Sequence, residues 1–176
     1  TAQQIRLVKS DKVAEQFYYL NKKALFFDAK ECFDAYLQYI EFDRDVDKRF
    51  YLPRRKQIYP IVQALQDLED DKLDLLSIST PPGVGKTTMG IFFLTWIMGK
   101  YPLQPNLASA HSGILTRSFY DGALSIIADP EYLWTDVFPG VQIVGTNSKE
   151  ETIDLGKKKR FKTLTCRSID GSLTGA

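Results

Sequence analysis

Apolar positions recur at spacings of three and four through the first part of the chain, the period of a helix with one buried face. Val13, Phe17 and Leu20 share one such face, and Cys32, Tyr36, Tyr39 and Ile40 repeat the pattern. Residues 11–50 are therefore expected to be helical. The tract Glu41–Arg49 alternates charge and reads as a polar connector or helix end. Pro53 interrupts, and the stretch that follows predicts a second helix with Ile61, Leu65 and Leu68 inward, ended by Asp70-Asp71. The period then changes. Leu75–Ser79 is a short apolar run expected to be a strand, and Thr87–Gly99 a helix closing on the residue type favoured past a C-terminus. Asn106–Ala110 predicts a second strand. Ser112–Ala128 predicts a helix with Ile114, Leu115, Phe119, Ala123 and Ile126 at helical spacing. Val141–Val144 reads as a short strand, and Thr152–Leu155 with Phe161–Arg167 as a hairpin joined by GKKKR. This alternation predicts an α/β domain with a mainly parallel sheet flanked by helices over residues 51–176, preceded by an N-terminal helical extension over 1–50.

The junction between the first expected strand and its helix carries the chemistry. Thr80-Pro81-Pro82-Gly83-Val84-Gly85-Lys86-Thr87-Thr88 sits where a strand feeds a glycine-rich turn and then a helix N-terminus, the context required of a phosphate-binding loop. Backbone N–H groups of such a loop and of the first helical turn lack intrahelical partners and can cradle phosphate oxygens. Glycines at 83 and 85 let the backbone approach the anion. Lys86 would reach the β- and γ-phosphates of ATP, and the Thr87 hydroxyl would ligate Mg²⁺. In the pattern G-x-x-x-x-G-K-[ST] the leading glycine falls on Thr80, so the match is incomplete. The bland alternative is a glycine turn capping an amphipathic helix with Lys86 solvated. The order of strand, loop, Gly-Lys-Thr and helix favours nucleotide binding and a P-loop NTPase fold of the RecA-like kind.

Bulk properties narrow the partners. A chain of 176 residues suits one domain with a real core, and a net charge of +1 makes no whole-chain case for a polyanion. Cys32 and Cys166 lie far apart without metal-like spacing, and the single His111 cannot complete a site with them. Two buried, reduced thiols in a cytoplasmic protein are expected. No apolar run reaches membrane-spanning length.

Hydrolysis needs an acidic partner that a phosphate-binding loop does not provide, usually an Asp at the end of an apolar strand, followed by Glu. Leu124–Glu131, LSIIADPE, comes nearest, but its period is helical and Pro130 follows at once. Glu69-Asp70-Asp71 follows a helix. No second acidic motif stands out.

TPPGVGKTT, the later YLWTDVFPG and the terminal GSLTGA, in this order and spacing, resemble the ATPase domain of the large terminase subunit of tailed bacteriophages, over about residues 50–176. The resemblance implies a motor that threads double-stranded viral DNA into a procapsid by ATP hydrolysis in the bacterial host cytoplasm, working at the capsid portal. It also implies a portal protein and a small terminase subunit as partners, assembly as a homo-oligomeric ring, and no membrane. Members of that family often lack the first glycine of the loop pattern, which accommodates Thr80. They frequently carry an arginine shortly before the Gly-Lys pair, where this chain has Pro82 and Gly83. In the family a segment like GSLTG directly precedes the strand bearing the metal-binding Asp and the catalytic carboxylate. The resemblance therefore implies that the chain is truncated at its C-terminus, without the family's nuclease domain and inactive as an ATPase by itself. A RecA-like helicase or translocase fragment, and a non-hydrolysing nucleotide-binding module, are the rival readings.

Other residues complete the candidate set. Tyr51, Arg54, Arg55 and Gln57 lie upstream of the loop, where related ATPases hold adenine. Arg55 and Gln57 are the better candidates for that contact, by stacking and edge hydrogen bonding. Arg117 and Arg167 are candidate arginine fingers for a neighbouring subunit, weighed against a structural role. Lys157–Lys162, KKKRFK, could neutralise DNA phosphates but reads better as a solvated hairpin tip. Trp96 and Trp134 are expected core anchors.

Overall fold

The computed structural model describes residues 2–169, with side chains from Asp11 onward. Helices α1 (Ala2–Asp28), α2 (Phe33–Ile40), α3 (Arg55–Glu69) and α4 (Lys86–Lys100) come first. They are followed by β1 (Asn106–Ala110), α5 (Gly113–Ala128), the short α6 (Trp134–Val137), β2 (Ile143–Asn147), β3 (Thr152–Leu155) and β4 (Leu164–Ser168). The chain is an α/β protein with a four-stranded sheet ordered β1-β4-β3-β2. Parallel pairing is confined to β1 and β4, from Asn106↔Leu164 to Ala110↔Ser168. β2 with β3, and β3 with β4, run antiparallel. The sheet is thus mixed, which corrects the mainly parallel expectation. Two short connections, 148–151 and 156–163, reverse the chain, and reversals this short can join only antiparallel neighbours.

One face of the sheet is buried by Ile153, Leu155, Leu164 and Cys166, against which α5 packs with Tyr120, Ala123, Ile126 and Ile127. The strand period of two explains the split, since Thr152, Thr165 and Arg167 turn to the other face. Helix α4 packs in turn on α5 and α2. Both tryptophans are fully buried core anchors, as expected. Trp96 Nε1 donates to Ala29 O at 3.0 Å and Trp134 Nε1 to Thr95 O at 3.1 Å, which satisfies the one polar atom each ring carries. Tyr36, packed against Trp96 and Phe138, shares a 2.9 Å hydrogen bond with Thr95. Helix α2 therefore belongs to the same core as α4.

Burial departs from the apolar pattern of the sequence at several points. Val13, Phe17 and Leu20 face solvent, because α1 packs on α2 through the opposite side: Tyr18 meets Phe42 and Phe26 meets Tyr39. Cys32 is exposed ahead of α2, while Cys166 is buried as expected, its thiol pushed up to about 12 by burial and by Glu151. In α5, Ile114 is exposed. Helix α3 buries Ile58, Val62 and Leu65, so its inward stripe is shifted and only partly buries Ile61 and Leu68.

The largest departure is at Leu75–Ser79, which is not a strand. Residues 73–84 make no backbone–backbone hydrogen bond among the described residues, and Leu75 is 84% exposed. A strand exists only with a neighbour to satisfy its N–H and C=O groups, and no described strand pairs with this one. GSLTGA lies outside the described residues. No described helix is long and apolar enough to cross a membrane.

Candidate functional site

The candidate loop joins the irregular segment to α4. Gly83 and Gly85 both adopt positive φ, +83° and +97°, a conformation that an L side chain resists. Gly85 is the N-terminal boundary of α4 and receives no side-chain cap. Met89 N closes the first helical bond on Gly85 O at 2.9 Å. The N–H groups of residues 83–88 meet no acceptor among the described residues. They form a run of donors at the positive end of a helix dipole. Lys86 Nζ donates to Thr80 O at 2.7 Å, bridging the two ends of the loop. Thr87 is partly exposed in the first turn. The hydroxyl of Thr80, at the position where the general pattern has glycine, is buried without a hydrogen-bond partner among the described residues.

The floor of the loop is an aromatic ring. A Cβ placed on Gly85 would lie 2.5–2.7 Å from the Phe50 ring. Phe50 stacks on Phe92 of α4 at 5.8 Å, and the exposed Arg54 guanidinium lies 5.1 Å from its centroid. Glu41 holds this floor in place. Its carboxylate is buried and accepts from Phe50 N at 2.9 and 3.0 Å and from Tyr51 N at 2.9 Å. Burial pushes the Glu41 carboxyl above its usual range, against those N–H donors and the nearby Arg44 and Arg49. Neither Phe50 nor Glu41 was among the expected site residues. Glu41 sits at the head of a charge-alternating tract that reads as solvated, and Phe50 touches the loop only through tertiary packing.

Sequence-predicted neighbours are distributed unevenly. Arg55 is bound bidentately to Asp34 of α2, Nε to Oδ1 at 2.9 Å and a terminal nitrogen to Oδ2 at 2.8 Å. The buried Tyr51 also donates to Asp34, and Gln38 donates at 2.8 Å. Arg55 is thus occupied in fastening α3 to α2, and Gln57 is exposed. Burial opposes ionisation of Asp34, but the hydrogen bonds from Arg55 and Tyr51 outweigh it and hold the carboxyl below the usual value of 3.8. Its stabilising contribution is present above that value and is lost as pH falls from there through the lower folded-state pKa. Asp34→Asn is expected to cost about 1–2 kcal/mol at neutral pH and to flatten the acid limb of stability in that window. Urea unfolding across pH measures both effects.

Arg167 pairs with Glu150, a terminal nitrogen to Oε2 at 2.7 Å, on the sheet face turned away from α5. Arg117 pairs with Asp121 at 2.8 Å and donates to Ser148 O at 2.8 Å. The basic run is only partly solvated. Lys162 Nζ and the Lys159 backbone N–H each donate to the buried Asp154 at 3.1 Å, while Lys157, Lys158 and Arg160 face water. A concavity of about 600 Å³ on that open sheet face includes none of the loop residues. A smaller apolar one of about 140 Å³ lies beneath the loop between α3 and α4, lined by Ile58, Leu65 and Met89. Val84, Gly85 and Lys86 of the loop also line it.

No family model, curated protein or solved structure matches the chain. The functional reading therefore rests on the loop's own geometry and on the motif order in the sequence. Among the described residues no cluster of three or more His, Cys, Asp or Glu side chains is arranged to hold a metal ion. For Mg²⁺ the loop provides the Thr87 hydroxyl, and further ligands would come from the phosphates and water, as is usual for this ion.

Proposed function

We propose that this chain is the ATP-binding part of a viral DNA-packaging motor of the large terminase type, with a P-loop fold around residues 80–88. The observation that carries the reading is the unpaired N–H run of residues 83–88, shaped by two glycines at positive φ and bridged by Lys86. Such a run suits a polyphosphate better than a structural turn, because buried or half-buried donors without partners are costly unless a ligand supplies acceptors.

Each residue has a role in this reading. Gly83 and Gly85 shape the concavity. Lys86 leaves Thr80 O and places its charge on the β- and γ-phosphates, and Thr87 contributes its hydroxyl to Mg²⁺, which when bound neutralises phosphate charge. Arg54, stacked on Phe50 beside Gly85, offers a planar cation to the base, and Gln57 a hydrogen-bonding amide. Arg55 serves that site by holding α3 against α2. Arg167 could act as a finger toward a neighbouring subunit only by leaving Glu150. Double-stranded DNA, a portal protein, a small terminase subunit and a ring of copies at the procapsid portal in the bacterial cytoplasm follow from the motif resemblance and belong to the same proposal.

Titration of the chain with MgATP in a calorimeter, with turnover measured on the same sample, tests this reading. Saturable binding with negligible turnover is expected, since the sequence offers no second acidic motif at the end of an apolar strand. Absence of binding would remove the nucleotide assignment, and robust turnover would reveal a catalytic carboxylate elsewhere in the chain.

A further inference from the structure

Helix α1 has two apolar faces, and only one is used. Tyr18, Leu25 and Phe26 pack toward α2 and the segment after it. The other face carries Val13, Phe17, Leu20, Ala24 and Phe27, all exposed, with Phe17 at 73% and Phe27 at 67%. Their spacings of four, three, four and three place them in one stripe two heptads long, the arrangement by which helices pack side by side. The seam is roughly 21 Å long at 1.5 Å per residue.

The residues bordering the seam specify the occupant. With Phe17 and Ala24 at the first core position of each heptad, the flanking positions before them are Gln16 and Lys23. Those following the second core position are Ala14, Asn21 and Asp28. In a parallel, in-register pair each preceding flank meets the following flank five residues on in the partner. That geometry sets Gln16 against Asn21 and Lys23 against Asp28, an amide pair and an ion pair, each formed twice. Neither Lys23 nor Asp28 makes an ion pair among the described residues. We propose that the outer face of α1 is a self-association surface that pairs in parallel with α1 of a second copy of this chain. The proposal stands independently of nucleotide binding.

Sedimentation equilibrium of the full chain is expected to give twice the chain mass. Phe17→Glu and Leu20→Glu each give folded monomers with unchanged circular dichroism, because both side chains are already exposed within the single chain, and their melting temperature no longer depends on protein concentration. Lys23→Glu alone and Asp28→Lys alone each weaken self-association by at least about tenfold through like-charge contacts. Mixing the two variants restores pairing as a heterodimer, which only the parallel register predicts. A monomeric wild-type chain overturns the proposal, including one that instead binds anionic vesicles through this face. So does association that survives both glutamate substitutions, or a mixture that fails to pair.

Discussion

Lys86→Ala is expected to abolish tight MgATP binding, with affinity falling by more than about a hundredfold. Its ammonium is the one cation within the loop, and a hydrogen bond to a charged group contributes about 1.5–3 kcal/mol, with at least two phosphate contacts at stake. In the structure this ammonium is engaged with Thr80 O at 2.7 Å, a neutral acceptor that a phosphate oxygen readily outcompetes. The substitution also unties the two ends of the loop, so the far-ultraviolet spectrum and the urea midpoint should be recorded alongside. Both are expected to change little, because Lys86 is exposed and residues 73–84 make no backbone–backbone bond among the described residues. Unchanged affinity in the calorimeter would mean that the loop holds no phosphate, whatever its shape.

Gly85→Ala should have the largest effect on stability. Two costs add: a non-glycine residue at φ +97°, worth about 1–2 kcal/mol, and a methyl group placed against the Phe50 ring, worth about 1–3 kcal/mol of overpacking. Phe50 has little room to retreat, being stacked on Phe92 with its backbone N–H held by Glu41. The expected loss is about 2–5 kcal/mol, read from the urea midpoint at constant slope. Gly83→Ala is the control. Its φ of +83° carries the backbone cost, but no atom lies within 4 Å of the added methyl, so it should lose only about 1–2 kcal/mol. Phe50→Leu in the Gly85→Ala background should recover part of the difference. Equal losses for the two glycines would mean that the ring is not the floor of the loop.

Elements with a strong local period were legible from the chain alone: α4 and α5 lie within a residue or two of their expected bounds, and the strand at 106–110 coincides. The loop glycines were legible because their need for positive φ is local. What could not be read is whatever depends on a partner. Leu75–Ser79 has the composition of a strand, but pairing is a property of neighbours, and none among the described strands takes it. The Val13–Phe17–Leu20 face is periodic and turns to solvent, since periodicity reports that a face is apolar and not what covers it. Glu41 looked like one more charge in a polar tract, yet it is buried because three backbone N–H bonds from Phe50 and Tyr51 compensate its desolvation. Arg55 was chosen for its ability to stack, and Asp34, twenty-one residues earlier, had already claimed it. No spacing rule signals such a pair.

The segment from Leu73 to Val84, which makes no backbone–backbone bond among the described residues, bears on the heat of any binding event at this loop. A polyanion settling there would supply acceptors to the loop donors, and in doing so would confine a stretch of chain held among the described residues by side-chain contacts such as those of Leu76 and Val84. Association is then expected to be enthalpically favourable and entropically opposed, in the manner of partial folding upon binding. Amide exchange should slow across residues 83–88 when ligand is added, so the ligand itself would complete the local architecture.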